Sequence, residues 1–206
     1  MIHVILLKKG NNVKLDIIYE KNFLKDINTQ ELFEKILLEC FNNQIFVDNG
    51  GYAMPRLIKW YGDLPYAYAN IYHPENPIPE FLIPVLNKVN EFLEKNHIES
   101  QMNSVLINYY RDGKDKINYH SDDLSQIGEN PVICSISLGE TRNFSFKHKE
   151  TKSKLNFELN DGDLCVMKGD TQDKWYHAVL PEENKSKRIN LTFRNTLNKP
   201  IIKDNI

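Results

Sequence analysis

Polar and apolar residues recur along this chain with two periods, and the texture changes near Asn103. Before it, Leu32, Phe33, Ile36, Leu37, Cys40 and Phe41 fall at helical spacing behind Asn28-Thr29-Gln30-Glu31, a sequence suited to capping a helix N-terminus. A second helix is predicted from about Pro79 to Lys95, with Leu82, Val85, Leu86, Val89, Phe92 and Leu93 facing inward and Pro84 near its first turn. The opening run Val4 to Leu7, with Ile2 nearby, predicts a first strand. Between the helices lies "NGGYAMPRLIKWYGDLPYAYANIYHPENPIPE", whose prolines, glycines and asparagines predict a loop-rich segment. It is unusually aromatic for a loop, with Tyr52, Trp60, Tyr61, Tyr66, Tyr68 and Tyr72.

After Asn103 short strand-like runs follow one another: "SVLINYY", "VICSISLG", "NFSFKHK", "LNFELN", "DLCVMKG", "HAVL" and "RINLTFR". Arg111-Asp112-Gly113, Leu138-Gly139, Asp161-Gly162 and Lys168-Gly169-Asp170 separate them. Short strands at regular spacing without intervening helices predict a sandwich or barrel, and a double-sheet jelly roll is the natural closed form. The expected class is mostly β with flanking helices, α+β overall. The expected organisation is one compact unit: residues 1–102 an N-terminal extension and lid, 103–196 the jelly-roll core, and 197–206 a tail.

Composition narrows this little. At 206 residues the chain can bury a sizeable core, and 41% hydrophobic with 26% charged residues is the balance of a globular protein. A net charge of −2 neither requires nor excludes a nucleic-acid partner, because a local basic patch can act within a neutral total. Cys40, Cys134 and Cys165 form no paired framework and predict reduced thiols. The opening residues lack the basic and small-residue features of a signal peptide, and no stretch reaches the ~20 apolar residues of a membrane span. An intracellular protein, nuclear or cytoplasmic and without a membrane partner, is therefore expected.

The chemistry starts at "NYHSDDL". On a strand His120 and Asp122 project to one side, and an imidazole beside a carboxylate suits a divalent ion such as iron(II). His-x-Asp is also a common polar turn, so a distant third ligand has to complete the set. His177, opening the apolar "HAVL" run, is the best placed; His3, His73, His97 and His148 sit in polar or terminal settings where a solvated or packed ring is the ordinary role. The strand "RINLTFR" strengthens the metal reading. By parity Arg188, Asn190, Thr192 and Arg194 share one face, while Ile189, Leu191 and Phe193 share the other. An apolar face belongs to a core, and two guanidiniums buried on the opposite face need anions. A small dicarboxylate would neutralise both; an edge strand with solvated arginines is the alternative. On "LINYY", Asn108 and Tyr110 share a face and can hydrogen-bond the same dicarboxylate.

Together, "NYYRDGKDKINYHSDDL", "PVICSISLGETRNFSFKHK", "DGDLCVMKGDTQDKWYHAVLP" and "KSKRINLTFR" resemble, in order and spacing, the iron(II)/2-oxoglutarate dioxygenases of the AlkB type. The likeness is closest to the animal members that demethylate alkylated bases, and it extends upstream through "MPRLIKWYGDLPYAY" to cover about residues 45 to 196. The resemblance implies a double-stranded β-helix core in which His120, Asp122 and His177 bind iron(II). It implies that Arg188, with Tyr110 and Asn108, pairs with the far carboxylate of 2-oxoglutarate, and that Arg194, with Asn190 and their neighbour Thr192, holds the keto end. It further implies consumption of 2-oxoglutarate and O2, release of succinate and CO2, and removal of N-methyl groups from 1-methyladenine and 3-methylcytosine as formaldehyde.

On the substrate side the resemblance places Tyr66 and Tyr68 in a base pocket and Asp123 against the exocyclic amine, with Arg56, Trp60 and Tyr61 as further contacts. A base must leave its stack to be modified, and flat side chains then hold it. "KHKETKSK" carries Lys147, Lys149, Lys152 and Lys154 as candidate phosphate contacts. Family members working on duplex DNA have a longer, arginine-richer loop there, so alkylated single-stranded DNA or RNA, handled by a monomer, is the expected partner. Two other functions stay open: a dioxygenase of protein or lipid, and a metal-binding β-barrel without redox turnover.

Overall fold

A computed structural model describes residues 2–7, 14–41, 55–68 and 71–199. Its strands, in chain order, are β1 (Ile2–Leu7), β2 (Lys14–Glu20), β3 (Leu57–Gly62), β4 (Tyr66–Tyr68), β5 (Ile71–His73), β6 (Ser104–Tyr110) and β7 (Ile117–His120). They continue with β8 (Ile133–Gly139), β9 (Arg142–His148), β10 (Lys154–Leu159), β11 (Leu164–Met167), β12 (Trp175–Val179) and β13 (Arg188–Arg194). The helices are α1 (Thr29–Cys40), α2 (Ile83–Lys95), entered through a 3-10 turn at Glu80–Leu82, and two single turns, α3 (Leu124–Ile127) and α4 (Thr171–Lys174).

Among the described residues the strands form a major sheet ordered β1-β2-β11-β8-β13-β6-β3, a minor sheet ordered β10-β9-β12-β7, and the small hairpin β4-β5. The strand pairings are antiparallel, and the two large sheets face each other as a jelly roll.

Two apolar layers hold the sheets. Outside the major sheet, α1 and α2 bury Leu32, Phe33, Ile36, Val85, Val89 and Leu93 against Val105, Ile107, Ile136, Ile189, Leu191 and Phe193. The α1 cap forms as its sequence dictates: the Asn28 side chain accepts the Glu31 N–H at 3.2 Å. Replacing the fully buried Ile36 by alanine should cost about 2–5 kcal/mol. Between the sheets lies a second layer built from Ile17, Ile133, Phe144, Phe146, Met167, Trp175 and Val179.

The first hundred residues enter this framework more deeply than a covering layer would. β2 pairs with β11, β1 pairs with β2, and β3 closes the other end against β6. The cause is burial: β2 places Leu15 and Ile17 between the sheets and Ile18 under the helices. β3 also lies within the stretch whose prolines and glycines predict loop. Gly113 marks a close backbone approach, since a Cβ there would collide with the Glu182 carbonyl oxygen. The cysteines are free and buried, and burial pushes the Cys165 thiol up to about 12, away from reactivity.

Candidate active site

β13 is an interior strand of the major sheet, flanked by β6 and β8. Its register sets Arg188 beside Tyr110 and Gly139, Asn190 beside Asn108 and Ser137, and Thr192 beside Leu106 and Ser135. Paired residues point the same way, so a polar lane faces the minor sheet while Ile189, Leu191 and Phe193 enter the helical layer. The expected parity holds on both faces of β13. Asn190 Nδ2 donates to Ser135 Oγ at 2.7 Å, Thr192 Oγ1 to Asn190 Oδ1 at 2.6 Å, and Arg56 Nε to Asn108 Oδ1 at 2.8 Å.

Arg188 is fully buried. Its Nη2 donates to Ser137 Oγ at 2.8 Å and its Cζ lies 5.2 Å from the Tyr110 ring centre, but its buried Nε and Nη1 have no hydrogen-bond partner among the described residues. Burial lowers its pKa, with Tyr110 opposing. The nearby Arg142, also fully buried, has its own anion: Nε donates to Glu182 Oε1 at 3.1 Å, and its other donors reach the carbonyls of Asp112, Asp115 and Leu180. Arg188 therefore points two unused donors into the pocket between the sheets. That is a fitting environment for a carboxylate.

Across the pocket the minor sheet contributes two imidazoles. His120 and His177 are register partners on β7 and β12, just before an irregularity between His177 and Val179, and their ring centres lie 4.2 Å apart. Asp122 follows β7. Its Oδ1 lies 3.8 Å from His120 Nε2 and 3.7 Å from His177 Nε2, and the three ligand atoms are all within 4.8 Å of one another. A divalent ion bonded at about 2 Å to each fits that spacing with small adjustments.

Two of the three ligands are aimed by a neighbour. His120 Nδ1 donates to the Asn118 carbonyl at 2.8 Å, which leaves Nε2 as the metal-facing nitrogen. Arg194 Nε donates to Asp122 Oδ2 at 2.6 Å and leaves Oδ1 toward the histidines, while the Asp122 N–H donates to Gln172 Oε1 at 3.0 Å. Burial works against the Asp122 charge, but Arg194 and the imidazoles prevail and hold its pKa well below the carboxylate range. Burial drives His177 down to about 3 and lowers His120, so both are neutral, as ligation requires.

The family model of the 2OG-Fe(II) oxygenase superfamily matches residues 16–194. The chain belongs to this superfamily. Its AlkB-type character shows in the relatives it matches. The mouse "Alpha-ketoglutarate-dependent dioxygenase alkB homolog 3" is 39% identical over 153 residues, covering 69% of this chain and 52% of the mouse protein. The human "DNA oxidative demethylase ALKBH2" is 34% identical over 159 residues, covering 71% of this chain and 58% of that protein. This chain thus spans about half the length of the curated relatives it matches. The solved structure titled "The structure of OsALKBH1" shares the fold, with a TM-score of 0.59 and 18% identity over 87% of this chain and 97% of that one. The superfamily's iron(II) and 2-oxoglutarate are thus this chain's cofactors, as expected, and the donor set described above suits both.

The aromatic residues divide. Trp60 and Tyr66 stack at 4.4 Å and 15°, and Arg194 Cζ lies 5.5 Å from the Tyr66 ring centre, so both stand beside the metal-side arginine. Tyr61, expected as a substrate contact, instead points away into the helical layer, where its hydroxyl donates to Cys40 Sγ at 3.2 Å. Trp60 pairs with Leu106 and shares the pocket face; Tyr61, its neighbour on β3, takes the other. The Tyr68 side chain lies outside the described residues. Asp123 is exposed, and one of its oxygens accepts the Ser125 N–H at 2.9 Å as the cap of α3.

Of the lysines, Lys147 and Lys154 are partners on the β9–β10 hairpin, while Lys152 turns its ammonium back onto the Lys149 carbonyl at 2.5 Å. Sequence reading missed three buried polar residues. Gln172 fixes the Asp122 backbone, Arg142 with Glu182 closes the far end beyond Tyr110, and Gln126 docks the β4 hairpin. The Gln126 amide both accepts the Ala67 N–H and donates to the Ala67 carbonyl, each at 3.0 Å. No local pattern marks these residues, because their partners lie far away in sequence.

Proposed function

We propose that this chain is an oxidative demethylase of N-methylated bases, 1-methyladenine and 3-methylcytosine, in single-stranded DNA or RNA. The observation that carries the co-substrate half is Arg188, fully buried with two orphaned donors above the face that holds the candidate iron ligands. The names of the mouse and human relatives support the substrate half.

In this reading His120, Asp122 and His177 would hold iron(II), which with 2-oxoglutarate and O2 supplies the oxidant that hydroxylates the N-methyl carbon, yielding succinate, CO2 and, as the hydroxymethyl group leaves, formaldehyde. Arg188 clamps the distal carboxylate with Tyr110 alongside, and the lane of Asn108, Asn190 and Thr192 lines the path toward the metal. Arg194 stabilises the Asp122 carboxylate and so acts as a positioning residue for a ligand, while its outer face meets Tyr66. Tyr66 and Trp60 wall the side on which a flipped base would enter. The short β9–β10 hairpin supports single-stranded substrate, and one chain carries every element of the site, which supports a monomer.

Mass spectrometry of methylated single-stranded DNA, duplex DNA and RNA oligonucleotides, incubated with iron(II), 2-oxoglutarate and ascorbate, tests the reading. Loss of 14 Da (about one methylene) from the single strands with matching succinate is expected. Succinate formed only with a protein or lipid substrate would replace this reading, and metal binding without any turnover would leave a binding module.

A further inference from the structure

The minor sheet has a second face. His120 and His177 point into the pocket, so their neighbours Tyr119 and Tyr176, of opposite parity, lie on the outside. Tyr176 is the register partner of Lys147, which in turn pairs with Lys154, so these three side chains share the outer face across β12, β9 and β10. Lys147 Nζ and Lys154 Nζ lie 5.5 and 6.0 Å from the Tyr119 ring centre, and Lys149 Nζ lies 5.1 Å from that of Tyr176. Tyr119 therefore reaches across β12 toward β9 and β10. The small rung beneath it, Ala178 paired with Ser145, is buried although it faces outward.

Among the described residues none of Lys147, Lys149 and Lys154 has a carboxylate within ion-pair distance, whereas Lys14, Lys88, Lys168, Lys174 and Lys185 each have one. Glu158, further along β10, is an acidic group on the same face. The hairpin that carries the lysines is fixed from below: His148 Nδ1 accepts the Thr151 N–H at 3.1 Å, and its ring stands on the edge of Trp175. Flat rings set among uncompensated cations on a rigid surface combine a stacking platform with phosphate contacts.

We propose that this outer face binds single-stranded nucleic acid, with unpaired bases stacking on Tyr119 and Tyr176 and phosphates meeting Lys147 and Lys154, while the Lys149 ammonium donates to the Gln172 carbonyl at 2.8 Å. The inference rests on the nucleic-acid reading above and adds a surface to it: the track lies on the reverse of the metal-bearing sheet. β7 is the edge strand of that sheet, so a strand leaving the pocket crosses no further strand to reach the track. A duplex would present no base faces to the rings. An acidic peptide would satisfy the lysines but leave the tyrosines unused.

Fluorescence anisotropy with unmethylated oligo-dT of about a dozen nucleotides, spanning a few nucleotides per ring, reads the track directly. Tyr119→Ala should weaken binding about 5- to 150-fold, the range for losing one stacked base, and Tyr119→Phe should restore it. The double variant Lys147→Ala/Lys154→Ala, which keeps both rings, should flatten the dependence of log affinity on log salt by about 1.4, two phosphate contacts on a single strand. Unchanged affinity in Tyr119→Ala, or an unchanged salt slope in the lysine pair, overturns the proposal. So does competition by poly-glutamate as effective as that by oligo-dT. A methylated trinucleotide, too short to occupy the track, reports the pocket alone. If the wild-type protein does not demethylate it, the demethylase reading fails, whereas turnover together with wild-type oligo-dT binding by the variants removes only the track.

Discussion

Replacing Arg188 by methionine should have opposite effects on the free and ligand-bound protein. In the free protein the guanidinium is fully buried, with Nε and Nη1 unsatisfied. Each orphaned buried donor costs about 1–3 kcal/mol. Against this stand the charged hydrogen bond to Ser137, about 1.5–3 kcal/mol, and the contact with the Tyr110 ring, about 0.5–2 kcal/mol. These contributions nearly cancel, and methionine fills a similar volume, so Arg188→Met should leave the free protein as stable as wild type or up to about 2 kcal/mol more stable. With the dicarboxylate the sign reverses. At a ligand concentration of about 100 Kd, wild type gains about 2.7 kcal/mol, or roughly 5–11 °C in melting temperature for a domain of this size. Losing a buried charge-assisted partner costs about 2–5 kcal/mol of binding, which should erase that shift. Differential scanning fluorimetry with and without 2-oxoglutarate in the presence of a redox-inert divalent metal reads both effects. A variant that melts far below wild type without ligand, or that keeps the full ligand-induced shift, would refute the assignment of Arg188 to the carboxylate.

Three further outcomes are expected. His177→Ala should abolish succinate formation, a loss beyond the 10- to 100-fold typical of removing a metal ligand's outer partner, while circular dichroism stays native; among the described residues Nδ1 of this histidine has no hydrogen bond to lose. The metal-free protein should lose stability as pH falls from 6.5 toward 3, because the unfolded chain binds a proton at His177 that the folded chain refuses, and a His177→Phe variant should show a shallower decline in urea titrations. Gln126→Ala should raise KM for methylated oligonucleotides several-fold, given two lost hydrogen bonds of about 1 kcal/mol each, and leave substrate-free 2-oxoglutarate consumption near wild type; equal losses in both assays would argue for general misfolding instead.

The parts of the site that were legible in sequence are those governed by strand parity. The β13 alternation separates Arg188, Asn190, Thr192 and Arg194 from Ile189, Leu191 and Phe193 without reference to any other segment, and His120-x-Asp122 is similarly local. Setting His177 opposite His120 rests on the β7–β12 pairing of the minor sheet. What escaped depends on register between distant segments. Trp60 and Tyr61 are indistinguishable as neighbouring aromatics until β3 is phased against β6, which sends one to the pocket and the other to Cys40. Arg194 looked like a carboxylate clamp for the co-substrate; the fold also gives it Asp122, fixed by a turn that parity does not describe. Gln126 and Gln172 are ordinary polar residues until their partners arrive from 59 and 50 positions away.

The manner in which Gln126 grips Ala67 carries a consequence for how this pocket can be varied. A side-chain amide satisfies the donor and acceptor of one peptide unit, imitating a neighbouring strand, and it needs nothing from the side chains of the ribbon it anchors. The ribbon is therefore an exchangeable cassette. Its outward residues can be rewritten for a different occupant, with any residue except proline at position 67, while the mooring stays put.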